Sequence, residues 1–514
     1  MYKWFDFSLS PVIDDTYQLY FRNIGDTFSF DTYFNSIPIN KVLKYTSISA
    51  IVFDIDAKGE YVADIISLTD KEERIIYRGK GNRIKIDISL IPENSMMLYL
   101  KLIDCKEVRN VSVYIECADA YDVCATLIIC TYKREENIIS NANYLSESFN
   151  DCSELKQIII VDNGKTLGDE KFGKKIKLIL NDNTGGSGGY SRGIEEAIKN
   201  KEITHLILMD DDVNFDKLSI KKMLGFIKAL KSEYKNISVS GSMLYINKPS
   251  VQFEAGGNFS ESGVQKSFGH YLDLNVRENL ILNEKENDIN YGGWWFMCMP
   301  SVYAKSGHLP MPFFMKYDDV EYALRCKLNF ITLNGVSVWH EPFEWKYNSS
   351  SEYYNIRNYL FLRKLLDKSF TKKQAKKLVC KQMLEKLCRR QYQMVKAVKL
   401  GYIDYLKGIE YLKNLDAEKN HKKICELNYE MLSDEELFKR YKIKFSEEKY
   451  HKSDLTRYKW YMRPLLYGLL IPGVFCKKDY TVVDVFFDRK EMYFLYKNVL
   501  HYNVNKRTGY YLKK

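Results

Sequence analysis

His205-Leu206-Ile207-Leu208-Met209 runs without a break into Asp210-Asp211-Asp212. Five apolar residues in succession suit a strand buried on both faces, and such strands belong to parallel sheets covered by helices. Three adjacent carboxylates repel one another, so their place at a strand end calls for a cation. Asp210 and Asp212, two apart, can both turn toward one hard metal ion with oxygen ligands. That ion can neutralise a diphosphate leaving group. The competing reading is the acidic first turn of a helix expected over 215–230, where the helix dipole favours negative charge.

The same grammar recurs upstream. Residues 125–130 (ATLIIC), 155–161 (LKQIIIV) and 176–180 read as further buried strands, and 135–148 and 189–200 read as helices. Strands alternating with helices predict an α/β fold with a mostly parallel, Rossmann-like sheet, whose ligands bind beyond the carboxyl ends of the strands. Thr131-Tyr132-Lys133-Arg134 follows the first strand and Asp162-Asn163-Gly164 the second. Asp162 can accept from a base or ribose and Arg134 can meet phosphate, or either can be a turn residue. The stretch 183–193 (NTGGSGGYSRG) contains Gly186 and Gly188. It reads either as a loop whose backbone N–H groups approach an anion or sugar, or as a connector. It matches neither a dinucleotide fingerprint nor a P-loop.

Downstream stand Gly292-Gly293-Trp294-Trp295, Tyr317-Asp318-Asp319-Val320-Glu321 and Trp339-His340. The paired tryptophans can stack on sugars or pack in a core. Asp318 and Asp319 either open a helix or supply a general base for an acceptor hydroxyl. His340, ending a strand expected over 330–339, serves as a third metal ligand or as an ordinary semi-buried histidine.

The flanks differ. Residues 1–122 show short alternating runs between turn signals, which predicts a β-sandwich. Residues 359–514 read as a helical domain behind a 123–358 catalytic domain, with apolar residues at three- and four-residue spacing. The net charge of +10 is carried by this tail: 36 Lys+Arg against 18 Asp+Glu in 361–514 give +18, leaving −8 in 1–360. Such asymmetry predicts an anionic partner or a solvated helical face. The 11 cysteines form no C-x-x-C pair and no apolar leader opens the chain, which predicts reduced thiols in the cytoplasm. No apolar run is long enough to span a bilayer; the nearest, 460–475, is broken by Pro464 and Pro472.

In order, CTYKR, VDNG, NTGGSGG, MDDD, GGWW, YDDVEY and WH resemble family 2 glycosyltransferases of GT-A fold. More narrowly they resemble the polymerising bacterial galactofuranosyltransferases. The resemblance implies a Mn²⁺ or Mg²⁺ ion held by Asp210, Asp212 and His340. It places the donor on Thr131, Arg134, Asp162, Asn163, Gly186, Gly188 and Asp211, and the acceptor near Gly293, Trp294, Trp295 and Glu254. Asp319 would be the base and Asp318 would hold an acceptor hydroxyl. It implies inverting transfer from a UDP-sugar, first choice UDP-galactofuranose, to a growing and lipid-linked glycan. UDP-galactopyranose and dTDP-rhamnose are the alternative donors. The enzyme would rest peripherally on the inner face of the plasma membrane through its basic C-terminal domain, with homo-oligomers and without nucleic acid. Rival classes are a nucleotidyltransferase or metal hydrolase, and a non-enzymatic protein binding membranes or nucleic acid through the tail.

Overall fold

The computed structural model describes residues 1–343, 348–388, 391–432, 474–476, 482–483, 503–505 and 509–513. The chain forms two compact units. The first is Met1–Met311 with Asp319–Glu341; the second takes Pro312–Asp318 and the chain from Pro342 onward.

A seven-stranded sheet forms the centre of the first unit, in the order Ile176–Leu180, Leu155–Asp162, Ala125–Thr131, His205–Asp210, Phe296–Pro300, Ile237–Ser240, Asn329–Ile331. Six strands share one direction and Phe296–Pro300 alone runs against them. The α/β, mostly parallel expectation therefore holds. Leu127, Ile128 and Ile129 are fully buried, as are Leu206 through Met209, which is why these strands lack alternation. Register pairs Thr131 with Asp162 and Cys130 with Asp210, so the polar residues after three strands line one rim.

The chain then switches sheets. A four-stranded sheet has the order Asn214–Phe215, Ser337–His340, Ser242–Tyr245, Lys248–Glu254. Only Gly241 separates Ser240 in one sheet from Ser242 in the other, and a Cβ there would lie 2.3 Å from the Phe296 ring. The single strand expected over 330–339 is likewise two strands in two sheets. They are divided by a turn in which Gly335 takes φ +80°, conformational space that favours glycine.

The N-terminal residues build two antiparallel sheets of four and five strands, with one short α-helix, Ile39–Tyr45, that the alternating pattern did not announce. Phe7 and Phe30, just beyond strands of the two different sheets, pack at 4.8 Å between ring centres. The first strand sits against the helix Lys217–Lys228, where the Trp4 indole donates to the Lys222 carbonyl at 2.9 Å.

Among the described residues of the second unit the helices are Ser349–Leu366, Lys372–Cys388, Tyr392–Lys407, Ile409–Lys413 and Ala417–Cys425. A five-stranded sheet, Tyr429–Leu432, Gly509–Lys513, Asn503–Asn505, Val474–Cys476, Val482–Val483, adds to what was read as purely helical. Residues 460–473 of the apolar run lie outside the described residues. Among those described, no helix is long and apolar enough to cross a membrane.

Candidate metal and donor site

The strand His205–Asp210 ends at the rim, and Asn214 pairs back onto Trp339. One step along that antiparallel register sets His340 opposite Val213 and so next to Asp212, 128 positions away in sequence. His340 Nε2 lies 3.2 Å from Asp212 Oδ1. Its Nδ1 meets the Glu341 carbonyl oxygen, which fixes the ring. One ligand atom each from Asp210, Asp212 and His340 fall within 4.8 Å of one another. Burial, followed by the Asp212 charge, holds the Asp210 carboxyl above its usual range. Tyr190 donates its phenol proton to Asp210 at 3.0 Å.

Asp211 is not one of these three ligands. It is buried, and Arg134 Nη1 reaches it at 2.6 Å while lying 3.0 Å from Asp212. Burial opposes the charge on Arg134, but Asp211 and Asp212 outweigh it and raise the pKa. Thr131 is buried beside the Asp211 carboxyl, and Asn141 donates to the backbone oxygens of Asp211 and Val213 at 3.1 Å each. Asp211 and Asp212 thus share one guanidinium, and Asp210 adds a third carboxylate to this rim. Two carboxylate oxygens and an imidazole nitrogen are a donor set that fits Mn²⁺ or Mg²⁺.

Other expected site residues have different surroundings. Asp162 spends both oxygens on its own loop, accepting from the backbone N–H of Gly164, Thr166 and Leu167. Asn163 donates to the Gly185 carbonyl at 2.9 Å and accepts from Asn181. The glycine-rich stretch is not a loop: the helix runs Gly185–Ala197 and contains Gly186 and Gly188. A Cβ on Gly189 would lie 2.1 Å from Cys130 Sγ, and one on Gly193 2.3 Å from Ile128 Cγ2. The helix needs glycines to reach the sheet.

Trp294 and Trp295 are both buried. Trp294 packs edge-on against Tyr190, and Trp295 donates its indole proton to the Gly241 carbonyl at 3.0 Å. Gly293 leaves room for the Trp295 ring, 2.3 Å from where a Cβ would stand. Glu254 is buried, accepts from the Ser267 hydroxyl and lies beside Tyr291. Burial, with Asp319 adding to it, pushes the Glu254 carboxyl up to about 7. Asp319 accepts from the Val320 N–H at 2.8 Å. Asp318 opens the helix Asp318–Cys326 and belongs to the second unit.

Sequence reasoning missed the supports. Tyr190 stood in the quoted glycine-rich stretch, where a lone phenol among small residues was the available signal. Asn141 sits mid-helix and had none. In the second unit, Phe314, Lys316 and Tyr317 all take positive φ, from 63° to 71°. Buried Asn358 holds that segment, donating to the carbonyls of Phe313, Met315 and Lys316, and Arg357 donates to Phe313 at 2.6 Å.

Residues 126–293 match the model of glycosyl transferase family 2. The galactofuranosyltransferase GlfT2 of Mycolicibacterium smegmatis is 24% identical over 378 residues, covering 66% of this chain and 57% of that protein. The Mycobacterium tuberculosis GlfT2 is 24% identical over 369 residues, 65% and 57%. The chain thus spans under two thirds of the length of these relatives. Solved structures that match include the mannosyltransferase PcManGT of Pyrobaculum calidifontis (8% identity, 60% of this chain and 85% of that one, TM-score 0.32). Another is S. aureus TarS 1–349 (12%, 59% and 80%, TM-score 0.30). On its strand order, its rim residues and the family and sequence matches, the chain carries a glycosyl transferase family 2 domain and resembles the galactofuranosyltransferases.

Proposed function

We propose that the chain is a metal-dependent, inverting glycosyltransferase that moves a sugar from a UDP-sugar, first choice UDP-galactofuranose, to a growing glycan. The observation that carries this is the convergence of Asp210, Asp212 and His340 at the end of a central strand. These three hold a Mn²⁺ or Mg²⁺ ion, which when bound supplies positive charge to the donor diphosphate. Arg134, beside Asp211 and Asp212, adds a guanidinium for the same phosphates. Asn163 and the N-terminal turn of the helix Gly185–Ala197 shape the donor side. Asp162 acts by organising its loop rather than by direct contact. Asp319 takes the proton of the acceptor hydroxyl as that oxygen bonds the anomeric carbon, and the nucleotide diphosphate leaves from the opposite face. Asp318 orients the same hydroxyl.

The acceptor is a lipid-linked cell-surface glycan, and the enzyme lies on the cytoplasmic face of the membrane, with self-association a further element of the proposal. Residues 361–400, with 13 Lys+Arg against 2 Asp+Glu, support attachment to an anionic surface.

Titration calorimetry with UDP tests the site. Binding should need Mn²⁺ and vanish in Asp212→Ala. Equal UDP affinity with EDTA would sink the metal-dependent reading.

A further inference from the structure

Trp294 and Trp295 are buried, and exposed aromatic rings stand close by. Tyr245 pairs in register with His340. The Tyr271 ring stacks on Tyr245, 5.6 Å between centres and 25° between planes. His270 packs edge-on to Tyr271 at 4.3 Å and to Phe253 at 5.5 Å. Phe253 in turn meets Trp295 at 6.1 Å and immediately precedes Glu254. A continuous aromatic ladder therefore leads from the metal-bearing strand to the surface. At its outer end Tyr271 is 45% exposed, and His270 is exposed too.

The backbone there is set at a cost. Gly269 and Tyr271 have φ +65° and +60°, and for tyrosine that region is uncommon and strained. The strain persists because Gln252, fully buried, clamps the turn from three sides. Its carbonyl accepts from Tyr271 N–H at 2.9 Å, its N–H donates to Leu272 O at 2.8 Å, and its side chain donates to Gly269 O at 2.9 Å. The amide is itself held by Asn283 at 2.8 Å. His270 Nδ1, 2.6 Å from the Phe253 carbonyl, locks the second ring. Any core role for Tyr271 would be met by a buried ring without the strain. A ring pre-set at the surface, with neighbours that keep it from collapsing, suits a ligand with an apolar face and a polar edge.

We propose that Tyr271 and His270 form an acceptor-glycan subsite, on which a sugar unit of an oligosaccharide stacks while its end reaches the centre at Asp210, Asp212 and His340. The subsite rests on the glycosyltransferase reading. Its occupant is a carbohydrate because the ladder is continuous with that centre and ends in rings rather than charges.

The test uses the full-length protein and a synthetic galactofuranosyl tetrasaccharide. Tyr271→Gly removes the ring while suiting the left-handed backbone, so the fold should survive, which thermal melting checks. With UDP-galactofuranose as donor, acceptor KM should rise about tenfold in Tyr271→Gly, with donor KM unchanged and Tyr271→Phe close to wild type. An unchanged acceptor KM in Tyr271→Gly would overturn the subsite while leaving glycosyl transfer intact. If the wild type turns over no donor, the functional reading fails on its own. Saturation-transfer NMR with the same tetrasaccharide then decides the subsite. A sugar signal in wild type that disappears in Tyr271→Gly upholds it; a signal that persists in Tyr271→Gly, or none in wild type, refutes it.

Discussion

Glu254 shows how one buried carboxyl ties stability to pH. Its carboxyl is buried against Ser267 and Tyr291, and burial first, then Asp319, lifts it to about 7. An ordinary glutamate in the unfolded chain titrates near ~4.3. The folded state thus binds the extra proton between these values. The contribution to stability is full below the unfolded value and is lost as pH rises through about 7. Glu254→Gln should therefore flatten part of the fall in melting temperature between pH 5 and pH 8. An unchanged slope would show that the carboxyl is solvated. The candidate metal ligands Asp210 and Asp212 were legible because adjacency and a preceding apolar run are local. The Arg134 pairing with Asp211 was not, since nothing in CTYKR says which strand end it will face.

Among elements, the helix Gly185–Ala197 gives the clearest lesson. Its glycines are those of a loop by composition and those of a close-packed helix by environment. Helix propensity disfavours them, yet at Gly189 and Gly193 the gap to the sheet admits no Cβ. Gly193→Ala should destabilise the fold by about 1–3 kcal/mol in urea unfolding through the clash with Ile128. A neutral or stabilising effect, as propensity alone requires, would contradict the packing account. The strained segment before Asp318 makes a second case. Asn358→Ala frees the carbonyls of Met315 and Lys316, leaves that of Phe313 to Arg357, and lets Phe314, Lys316 and Tyr317 relax. Turnover should fall at least tenfold with donor KM unchanged. Loss of donor affinity instead would place the effect elsewhere. Neither the strain nor its clamp was readable, because Asn358 lies some 40 residues downstream in a helix.

For the larger assembly, the N-terminal sheets are fastened to the catalytic core within the first unit by a buried charge. Lys222 is fully buried and donates to the carbonyls of Phe34 and Ser36 at 3.0 and 2.6 Å. Burial pulls its amine down to about 7 and pushes nearby Glu284 up to about 7. Lys222→Met would leave the Phe34 and Ser36 carbonyls unpaired. It should cost about 1–3 kcal/mol, seen as a lowered urea midpoint. No change would mean that the sheets attach by apolar packing alone. The α/β core and the N-terminal strands were legible from period and apolar runs. The joint between them was not, because a lysine in an amphipathic helix reads as surface.

Asp210, Asp212 and His340 are proposed to hold the ion that makes glycosyl transfer possible. The direct measurement is release of free UDP from UDP-galactofuranose, with a furanosyl oligosaccharide acceptor, in Mn²⁺ and in EDTA, for wild type and Asp210→Ala. Turnover in Mn²⁺ that EDTA abolishes and Asp210→Ala lowers by roughly a hundredfold or more is the predicted result. Equal turnover in EDTA, or an Asp210→Ala protein as active as wild type, would contradict it.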